Sequence, residues 1–570
     1  SARNASASSL PSGRHAQLSC ALPGFFIACE FTASRARGMM GGPRLWRQSA
    51  PLNMSSSVVQ AYEELAYPSG AFAQMHPDRL ATVATLFGMQ TPPVEHCRVL
   101  ELGCGNGTSL IPFAHALPRA SFLGIDITPA AIRAAQAMAA SLELHNADFR
   151  CANVLEMDSR LGAFDYILCH GVYSWVPAEV REKLLAICGE VLAPSGVAYI
   201  SYNTRPGGDL RVMLRDMMRY HIPADGPLAE RLHQARALVE FLAEAKSGND
   251  NYQRLLQWQR ERIERLPDAL LYHDDLSESH QPVYFHQFIA HAAQHGLQFL
   301  GEADFYEMGE QRFPPAIREK LAMLGGRITI REQYMDFLSG RAFRQTLLCH
   351  ADHRLQRPIQ PESLAALYFS SPAEPVSAHP AIAGESEEEF RAAENASVKT
   401  THPLAKAIFV TLGEAWPGSL RFDELRGRVA QHLGAVEERA LAEGLLQIYS
   451  SGPILTISTQ PYAGVTRLSE RPKLSPLARV QAESGCPVIT NLRHFSVDVR
   501  DPLFRRLLLL LDGTRDRAAL ADALATAIEA GEIPGPPAGA TAPAPPLREQ
   551  IAASLDRSLR DVLRMALLVG

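Results

Sequence analysis

A glycine-rich turn, Glu101-Leu102-Gly103-Cys104-Gly105-Asn106-Gly107, carries the clearest chemical signal in the sequence. It follows an apolar strand pattern and precedes a helical one, so its amides would lie at a helix N-terminus. Closely spaced glycines allow positive φ and let a ligand touch the backbone. A dinucleotide site carries its third glycine three residues after the second, where this chain has Thr108. The spacing therefore predicts a ligand site that differs from a dinucleotide site.

Strand patterns at regular spacing surround this turn and must position it. Helix-length segments separate most of them, which predicts a parallel sheet with helices on both faces. The strand candidates are Arg98–Leu102, Ser121–Ile125, Ala147–Cys151, Asp165–Cys169, Val197–Tyr202, Leu297–Ala303 and Arg344–Cys349. The sequence therefore predicts an α/β fold with a seven-stranded, Rossmann-like sheet.

The tight E-x-G-x-G-x-G form of Glu101 to Gly107 resembles motif I of the class I methyltransferases. In that family the loop cradles the amino-acid part of S-adenosylmethionine (SAM), so the resemblance implies SAM as the cofactor. Asp126 ends the second strand, 19 residues after Gly107. An ionised carboxylate there can accept both ribose hydroxyls; the alternative is a turn or cap Asp. Asn153 stands where the family often has an acid that binds the adenine amine, and its amide oxygen can accept in the same way.

The predicted cofactor site lies along the carboxyl ends of four strands. His170 and Gly171 would lie along the sulfonium and adenine of SAM. The predicted cofactor-binding residues are Glu101, Gly103, Cys104, Gly105, Asn106, Gly107, Asp126, Ile127, Asn153, Val154, His170 and Gly171.

The run His170-Gly171-Val172-Tyr173-Ser174-Trp175, after the fourth strand, would face the transferable methyl group. Tyr173 and Trp175 would line the acceptor pocket, with sheet–helix packing as the alternative. Tyr202 or Asn203, at the end of the fifth strand, could orient the acceptor nitrogen, although Asn203 could also be a turn residue. His273 is the candidate proton acceptor.

Further segments resemble a narrower group, the bacterial methyltransferases that carry a methyltransferase regulatory domain. The segments that carry this resemblance are Tyr67-Pro68-Ser69, His76-Pro77-Asp78-Arg79-Leu80-Ala81, Tyr272-His273-Asp274-Asp275-Leu276 and Pro282-Val283-Tyr284-Phe285-His286. That group includes protein lysine methyltransferases that modify outer-membrane proteins of rickettsiae. The resemblance implies methyl transfer to a protein lysine. A small-molecule O- or N-methyltransferase and a non-catalytic SAM-sensing protein are the alternatives.

The domain prediction follows from these patterns and from composition. A helical lid, residues 206–282, interrupts the sheet between strands five and six. A mostly helical, winged-helix-like C-terminal domain shows its pattern in two helices and a strand, residues 422–457. The predicted segments are 1–53, an unstructured extension; 54–205, the SAM-binding core; 206–282, the lid; 283–355, completion of the sheet; 371–400, a linker; and 401–570, a regulatory or docking domain.

The net charge of −6 argues against a general nucleic-acid binder. The C-terminal part is balanced too, with 19 Lys and Arg against 18 Asp and Glu after residue 400. No apolar run is long enough for a membrane helix, so we expect a cytoplasmic protein without membrane insertion, for which a dimer is possible. Nine scattered cysteines fit a reducing compartment. His291 and His295 have metal-binding spacing, but no acidic third ligand accompanies them in sequence, so no metal site is predicted.

Overall fold

The fold comes from a computed structural model that describes residues 61–65, 67, 70–223, 226–245, 250–392, 396–534 and 546–570. The predicted extension, residues 1–53, lies outside the described residues. No helix in the described part of the chain is long and apolar enough to cross a membrane.

A seven-stranded sheet forms the centre of the fold, in the order β3-β2-β1-β4-β5-β7-β6. Strands β1 to β5 run parallel to one another, whereas β7 runs antiparallel to both β5 and β6. The strands are β1 Arg98–Leu102, β2 Ser121–Asp126, β3 Ala147–Cys151, β4 Phe164–Cys169, β5 Leu192–Asn203, β6 Leu297–Glu302 and β7 Phe343–His350. The strand order reverses between β1 and β4, and ligands bind at such a switch point, outside the carboxyl ends of the strands.

Helices fill the connections between these strands, and two apolar cores flank the sheet. The helix before β1 and the helix after the glycine loop pack their apolar residues into the same core. The helices up to β7 are α1 Pro77–Leu86, α2 Leu110–Ala116, α3 Pro129–Ser141, α4 Ala178–Val191, α5 Gly208–His221, α6 Leu228–Glu244, α7 Asn251–Arg265, α8 Phe285–Gln294, α9 Pro315–Ala322 and α10 Ile328–Ser339. The sequence-based prediction of a seven-stranded sheet with helices is confirmed.

The segment between β5 and β6 is helical, as the sequence predicts. Residues Met218–Leu271 form a compact unit by themselves, in which α6 and α7 pack against each other. Arg236 of α6 donates to the carbonyl of Leu266 and to the Asp268 carboxylate, both at the end of this pair. A π-helical turn, Leu271–Asp275, follows.

The reversed strand β7 is fixed by a buried charge network. Arg344 is 1% exposed and its guanidinium donates to Glu302 of β6 and to Glu332 and Asp336 of α10. The same guanidinium lies 3.9 Å from the ring centroid of Phe285. A buried arginine needs such partners, because an unpaired buried charge is strongly destabilising. The network thereby ties β6, β7, α8 and α10 together.

Residues 371–400, predicted as a linker from their Pro- and Glu-rich composition, contain ordered strands instead. After β8 Tyr368–Ser370 come β9 Glu374–Pro375, β10 Glu388–Arg391 and β11 Ser397–Thr400, which form an antiparallel three-stranded sheet. Phe390 of β10 is fully buried and packs against Phe409. The strands are two to four residues long, which is too short for a hydrophobic period to show.

The elements after residue 400 belong to two different apolar cores. Helices α11 Pro403–Ala415, α12 Phe422–Leu433 and α13 Glu438–Ser451 belong to the same core as α1 and α2. Strands β12 Leu420–Arg421 and β13 Thr456–Ser458 pair with β8. The remaining elements enclose a separate core; they are α14 Pro476–Glu483, β14 Val488–Thr490, β15 Ser496–Asp498, α15 Pro502–Leu510, α16 Arg517–Glu529 and α17 Leu547–Arg564.

Candidate active site

The glycine loop after β1 has the backbone that its sequence predicts. Gly103, Gly105 and Gly107 have φ of 78°, 53° and 74°, a region that other residues enter only with strain. A Cβ at Gly103 would lie 2.5 Å from Cγ2 of Val172, in the turn after β4. A Cβ at Gly105 would meet no described atom within 4 Å. The loop therefore touches the turn after β4 on one side and leaves open space beside Gly105.

Two carboxylates lie at the ends of β1 and β2, on either side of this loop. Asp126 accepts hydrogen bonds from the amides of Gly105, at 2.9 Å, and Thr128, at 2.8 Å. Glu101 is 4% exposed, and its Oε2 has no hydrogen-bond partner among the described residues. Burial, with the nearby charge of Asp126, raises the pKa of Glu101 to about 8. A buried carboxyl oxygen without a donor fits a site that receives a cationic ligand.

The other residues of the predicted cofactor site lie along the same strand ends. Cys104 is buried, and the hydroxyl of Thr108 donates to the side-chain oxygen of Asn106. The carbonyl of Ile127 accepts from the thiol of Cys151 at 3.6 Å. Asn153 Oδ1 accepts the Leu155 amide at 3.0 Å and caps the short helix that begins at Val154. One lone pair of that oxygen remains for a second donor.

His170 and Gly171 form the turn after β4. The Nδ1 of His170 lies 2.8 Å from the hydroxyl of Tyr199, and its ring packs against Phe72. Burial lowers the pKa of His170 to about 4, so the imidazole is neutral at neutral pH. Gly171 has φ of 66°, and its amide donates to Ser201 Oγ at 2.7 Å. The turn is therefore fixed to β5 by hydrogen bonds from two consecutive residues.

Tyr173 and Tyr202, predicted as catalytic residues, lie in the core between the sheet and α8. They are 3% and 1% exposed and both contact Phe288. The hydroxyl of Tyr173 bonds to His291, and that of Tyr202 to Thr346. Both rings therefore pack as core side chains, and both hydroxyls are already paired.

Trp175 and Asn203 meet at a residue that sequence reasoning missed, His280. Trp175 stacks on His280 with ring centroids 4.3 Å apart. The Asn203 side-chain nitrogen lies 2.6 Å from His280 Nε2. Burial, with the charges of Arg211 and Arg215, lowers the pKa of His280 to about 3. His280 is therefore neutral, and Nε2 accepts a hydrogen bond from the amide of Asn203.

A third group of side chains surrounds His273. Its ring stacks on Tyr62 at 4.4 Å and meets the edge of Tyr67 at 5.6 Å. Each tyrosine keeps 38% of its surface exposed. The hydroxyl of Tyr62 is withdrawn from water, and this effect, with the charges of Asp274 and Asp126, raises its pKa to about 12. We call Tyr62, Tyr67, His273 and Asp274 the aromatic–acidic cluster; the charge of Asp126, a predicted cofactor-binding residue, acts on the Tyr62 hydroxyl of this cluster.

His273 itself is held by the backbone. Its Nε2 lies 2.6 Å from the carbonyl of Leu65, and because a carbonyl only accepts, Nε2 carries the proton. Burial lowers the pKa of His273, which leaves Nδ1 as the basic nitrogen. Arg211 pairs with Asp275 at 3.4 Å and Asp274 at 3.9 Å beside it. Arg211 gave no motif in the sequence, since its partners lie more than 60 residues away.

Comparison with known proteins places three domains on this chain. Residues 93–265 match the family described as a methyltransferase domain, and 267–350 match a predicted methyltransferase regulatory domain. Residues 470–567 match the family described as the C-terminal winged helix domain of PKMT. The prediction of a winged helix in the C-terminal domain is thus confirmed, and the matched residues follow the segment 422–457 from which the sequence predicted it.

Relatives cover most of the chain. An uncharacterised protein of Rickettsia prowazekii is 32% identical over 487 residues, which are 83% of this chain and 87% of that protein. A Synechocystis protein is 26% identical over 311 residues, or 54% of this chain and 61% of its own length.

A solved structure also matches almost throughout. PKMT2 from Rickettsia typhi in complex with AdoHcy has a TM-score of 0.79 and 28% identity, and the match covers 88% of this chain and all of that one. The glycine loop, its two carboxylates and these matches lead to one assignment. The chain belongs to the class I SAM-dependent methyltransferases that join a methyltransferase regulatory domain and a PKMT-type winged helix domain to the catalytic sheet.

Proposed function

We propose that this methyltransferase transfers the methyl group of SAM to the side-chain nitrogen of lysine in a protein substrate. The aromatic–acidic cluster carries this proposal. Partly exposed rings attract a cationic amine through their faces, and the Asp274 carboxylate adds a negative charge beside them.

The cofactor side of the proposal rests on the glycine loop. Gly103 to Gly107 would hold the amino-acid part of SAM against open backbone, with Glu101 facing its cationic part and Asp126 its ribose. Asn153 and Val154 would border the adenine, and His170 and Gly171 the sulfonium. SAM supplies an electrophilic methyl group, which leaves the sulfonium sulfur as the acceptor nitrogen bonds to it.

The acceptor nitrogen must lose a proton before it can attack. A lysine ammonium has an ordinary pKa of about 10.4, and the neighbouring sulfonium charge would lower it. His273 is the proposed proton acceptor, through Nδ1. Asn203, aligned by His280, would orient the neutral nitrogen through its side-chain oxygen, since its amide nitrogen is bonded to His280. The protein thus supplies orientation and exclusion of water.

Two segments outside the sheet would serve the protein substrate. Under this proposal residues 206–282 act as a lid and residues 401–570 dock the substrate, while residues 283–355 complete the sheet between them. The similarity to PKMT2, together with a PKMT-type winged helix domain, supports a macromolecular acceptor.

Labelling decides between the acceptors. We would incubate the protein with methyl-labelled SAM and a bacterial cell-envelope extract, then hydrolyse the protein fraction and separate its amino acids. The expected result is label in methylated lysine, lost with the Asp126→Ala variant. Label confined to small molecules would overturn the lysine proposal and favour a metabolite acceptor. Absence of any label, with SAM binding intact by calorimetry, would favour a SAM-sensing protein.

A further inference from the structure

Three ligand-type side chains converge at the junction of α4 and α8, on residues that methyl transfer does not use. Glu182 lies on α4, His291 on α8, and His295 caps the C-terminus of α8. One ligand atom from each lies within 4.8 Å of the others. His291 Nε2 is 2.7 Å from Glu182 Oε2, and His295 Nε2 is 3.1 Å from Glu182 Oε1. The acidic third group, absent near these histidines in sequence, comes from 109 residues away.

We propose that Glu182, His291 and His295 bind a divalent transition-metal ion of the zinc class, with a fourth position open to water. Two imidazoles and a carboxylate are an established zinc ligand set. Nitrogen ligands disfavour Ca²⁺ and Mg²⁺, which take oxygen. Zinc bonds of about 2.0–2.2 Å in a tetrahedral array put ligand atoms roughly 3.3 Å apart, and the two separations from Glu182 to the histidines are 2.7 and 3.1 Å.

The nitrogen of His295 that faces Glu182 is withdrawn from solvent. His295 Nε2 is buried and lies 3.1 Å from Oε1 of Glu182, so a bound ion would replace an existing contact between these two side chains.

The surroundings hold these ligands in place. The hydroxyl of Tyr173 lies 2.8 Å from His291 Nδ1, so Nδ1 can donate its proton there while Nε2 faces the metal; metal-binding histidines are oriented in this way. On α4, Gly189 lies two turns after Glu182 on the same face. A Cβ at Gly189 would come 2.4 Å from the carbonyl of His295, so this glycine allows the two helices to approach.

A bound ion would connect α4 and α8 to the turn after β4. Tyr173 lies in the same turn, three residues after His170 and two after Gly171. Its hydroxyl bonds to the proposed ligand His291. The ion would thus stabilise the part of the sheet edge that carries these residues. This role is separate from methyl transfer and does not depend on the proposed acceptor.

Cobalt titration of the full-length protein tests this site. We would remove metals with a chelator, remove the chelator, and titrate with CoCl₂, since Co²⁺ in such a site absorbs visible light. One equivalent should bind, with visible bands but no thiolate charge-transfer band. ZnCl₂ should displace it and raise the melting temperature. A thiolate band, or no visible band at all, would overturn the proposal, because the exposed Cys151 is the competing ligand type.

Matched variants locate the site. Glu182 is exposed, so Glu182→Gln should leave the fold intact. Glu182→Gln and His295→Ala, each made alone, should weaken Co²⁺ binding at least tenfold. Tyr173→Phe should weaken binding by about tenfold through loss of the orienting bond. His145→Ala, at an exposed histidine elsewhere, should bind Co²⁺ like the unaltered protein. Unchanged affinity in Glu182→Gln, or equal loss in His145→Ala, would overturn the assignment.

Discussion

The two sides of the candidate active site are built in different ways. The cofactor side comes from the ends of β1 and β2, where Glu101, the glycines and Asp126 lie within 26 residues. The proposed acceptor side takes Tyr62 from before the sheet, Asn203 from β5, and His273 and His280 from the end of the segment 206–282. The first side depends on local backbone conformation, and the second on contacts between residues up to 208 positions apart. Substitutions on the cofactor side should therefore lower SAM affinity, whereas substitutions on the acceptor side should lower kcat.

The largest expected effect is on the cofactor side, at Gly103. Gly103→Ala places a Cβ against Val172 and forces alanine to a φ of 78°. Left-handed backbone alone destabilises by about 1–2 kcal/mol, and the clash adds to it. We expect SAM affinity to fall by roughly a hundredfold in a calorimetric titration.

Gly296→Ala is the matched control for this substitution. Its φ is 72°, but a Cβ there meets no described atom within 4 Å. It should carry the same backbone strain and still bind SAM like the unaltered protein. Near-normal SAM affinity in Gly103→Ala would contradict the view that the loop is fixed by local geometry.

An intermediate effect is expected on the acceptor side, from two neighbouring residues of β5. Asn203→Ala removes the bond to His280 and should lower kcat about tenfold or more, with SAM affinity unchanged. Tyr202→Phe removes the core bond to Thr346 and should destabilise the fold by about 1 kcal/mol, with kcat nearly unchanged. Labelled methyl transfer and denaturant unfolding measure the two quantities. A large loss of kcat in Tyr202→Phe, with kcat unchanged in Asn203→Ala, would indicate that Tyr202 lies in the acceptor pocket.

The smallest effect is a pH dependence of SAM affinity. Because the pKa of Glu101 is raised to about 8, its carboxyl is mostly protonated at neutral pH. A bound cation favours the ionised form, so affinity should rise several-fold between about pH 6 and about pH 8 and then level off. Calorimetry in buffers of different ionisation enthalpy would register the released proton.

Glu101→Gln separates this titration from that of the ligand's own amino group. The variant should bind SAM more weakly and lose the part of the pH dependence that Glu101 causes. It should also gain stability relative to the unaltered protein as pH rises from about 4.5 to about 8, because only the unfolded Glu101 ionises in that range. An identical pH profile in both proteins would remove Glu101 from the cofactor site.

The sequence by itself determined the sheet and the glycine loop. Strand–helix alternation is a local pattern, and closely spaced glycines permit the positive φ angles that the loop adopts. Composition was a weaker guide. Residues 371–400 looked like a linker, yet Phe390 finds a buried partner in Phe409, which composition does not reveal.

Only the tertiary structure decided which side chains reach the acceptor side. Tyr202 and Asn203 are consecutive in a strand, so they point to opposite faces, and the sequence does not say which face carries the site. The structure gives Tyr202 to the core and Asn203 to His280, a partner 77 residues away. It likewise supplies Glu182 to His291 and His295. Long-range pairing depends on how the helices pack on the sheet, whereas the ability of the loop to adopt positive φ depends on its glycines, which the sequence states directly.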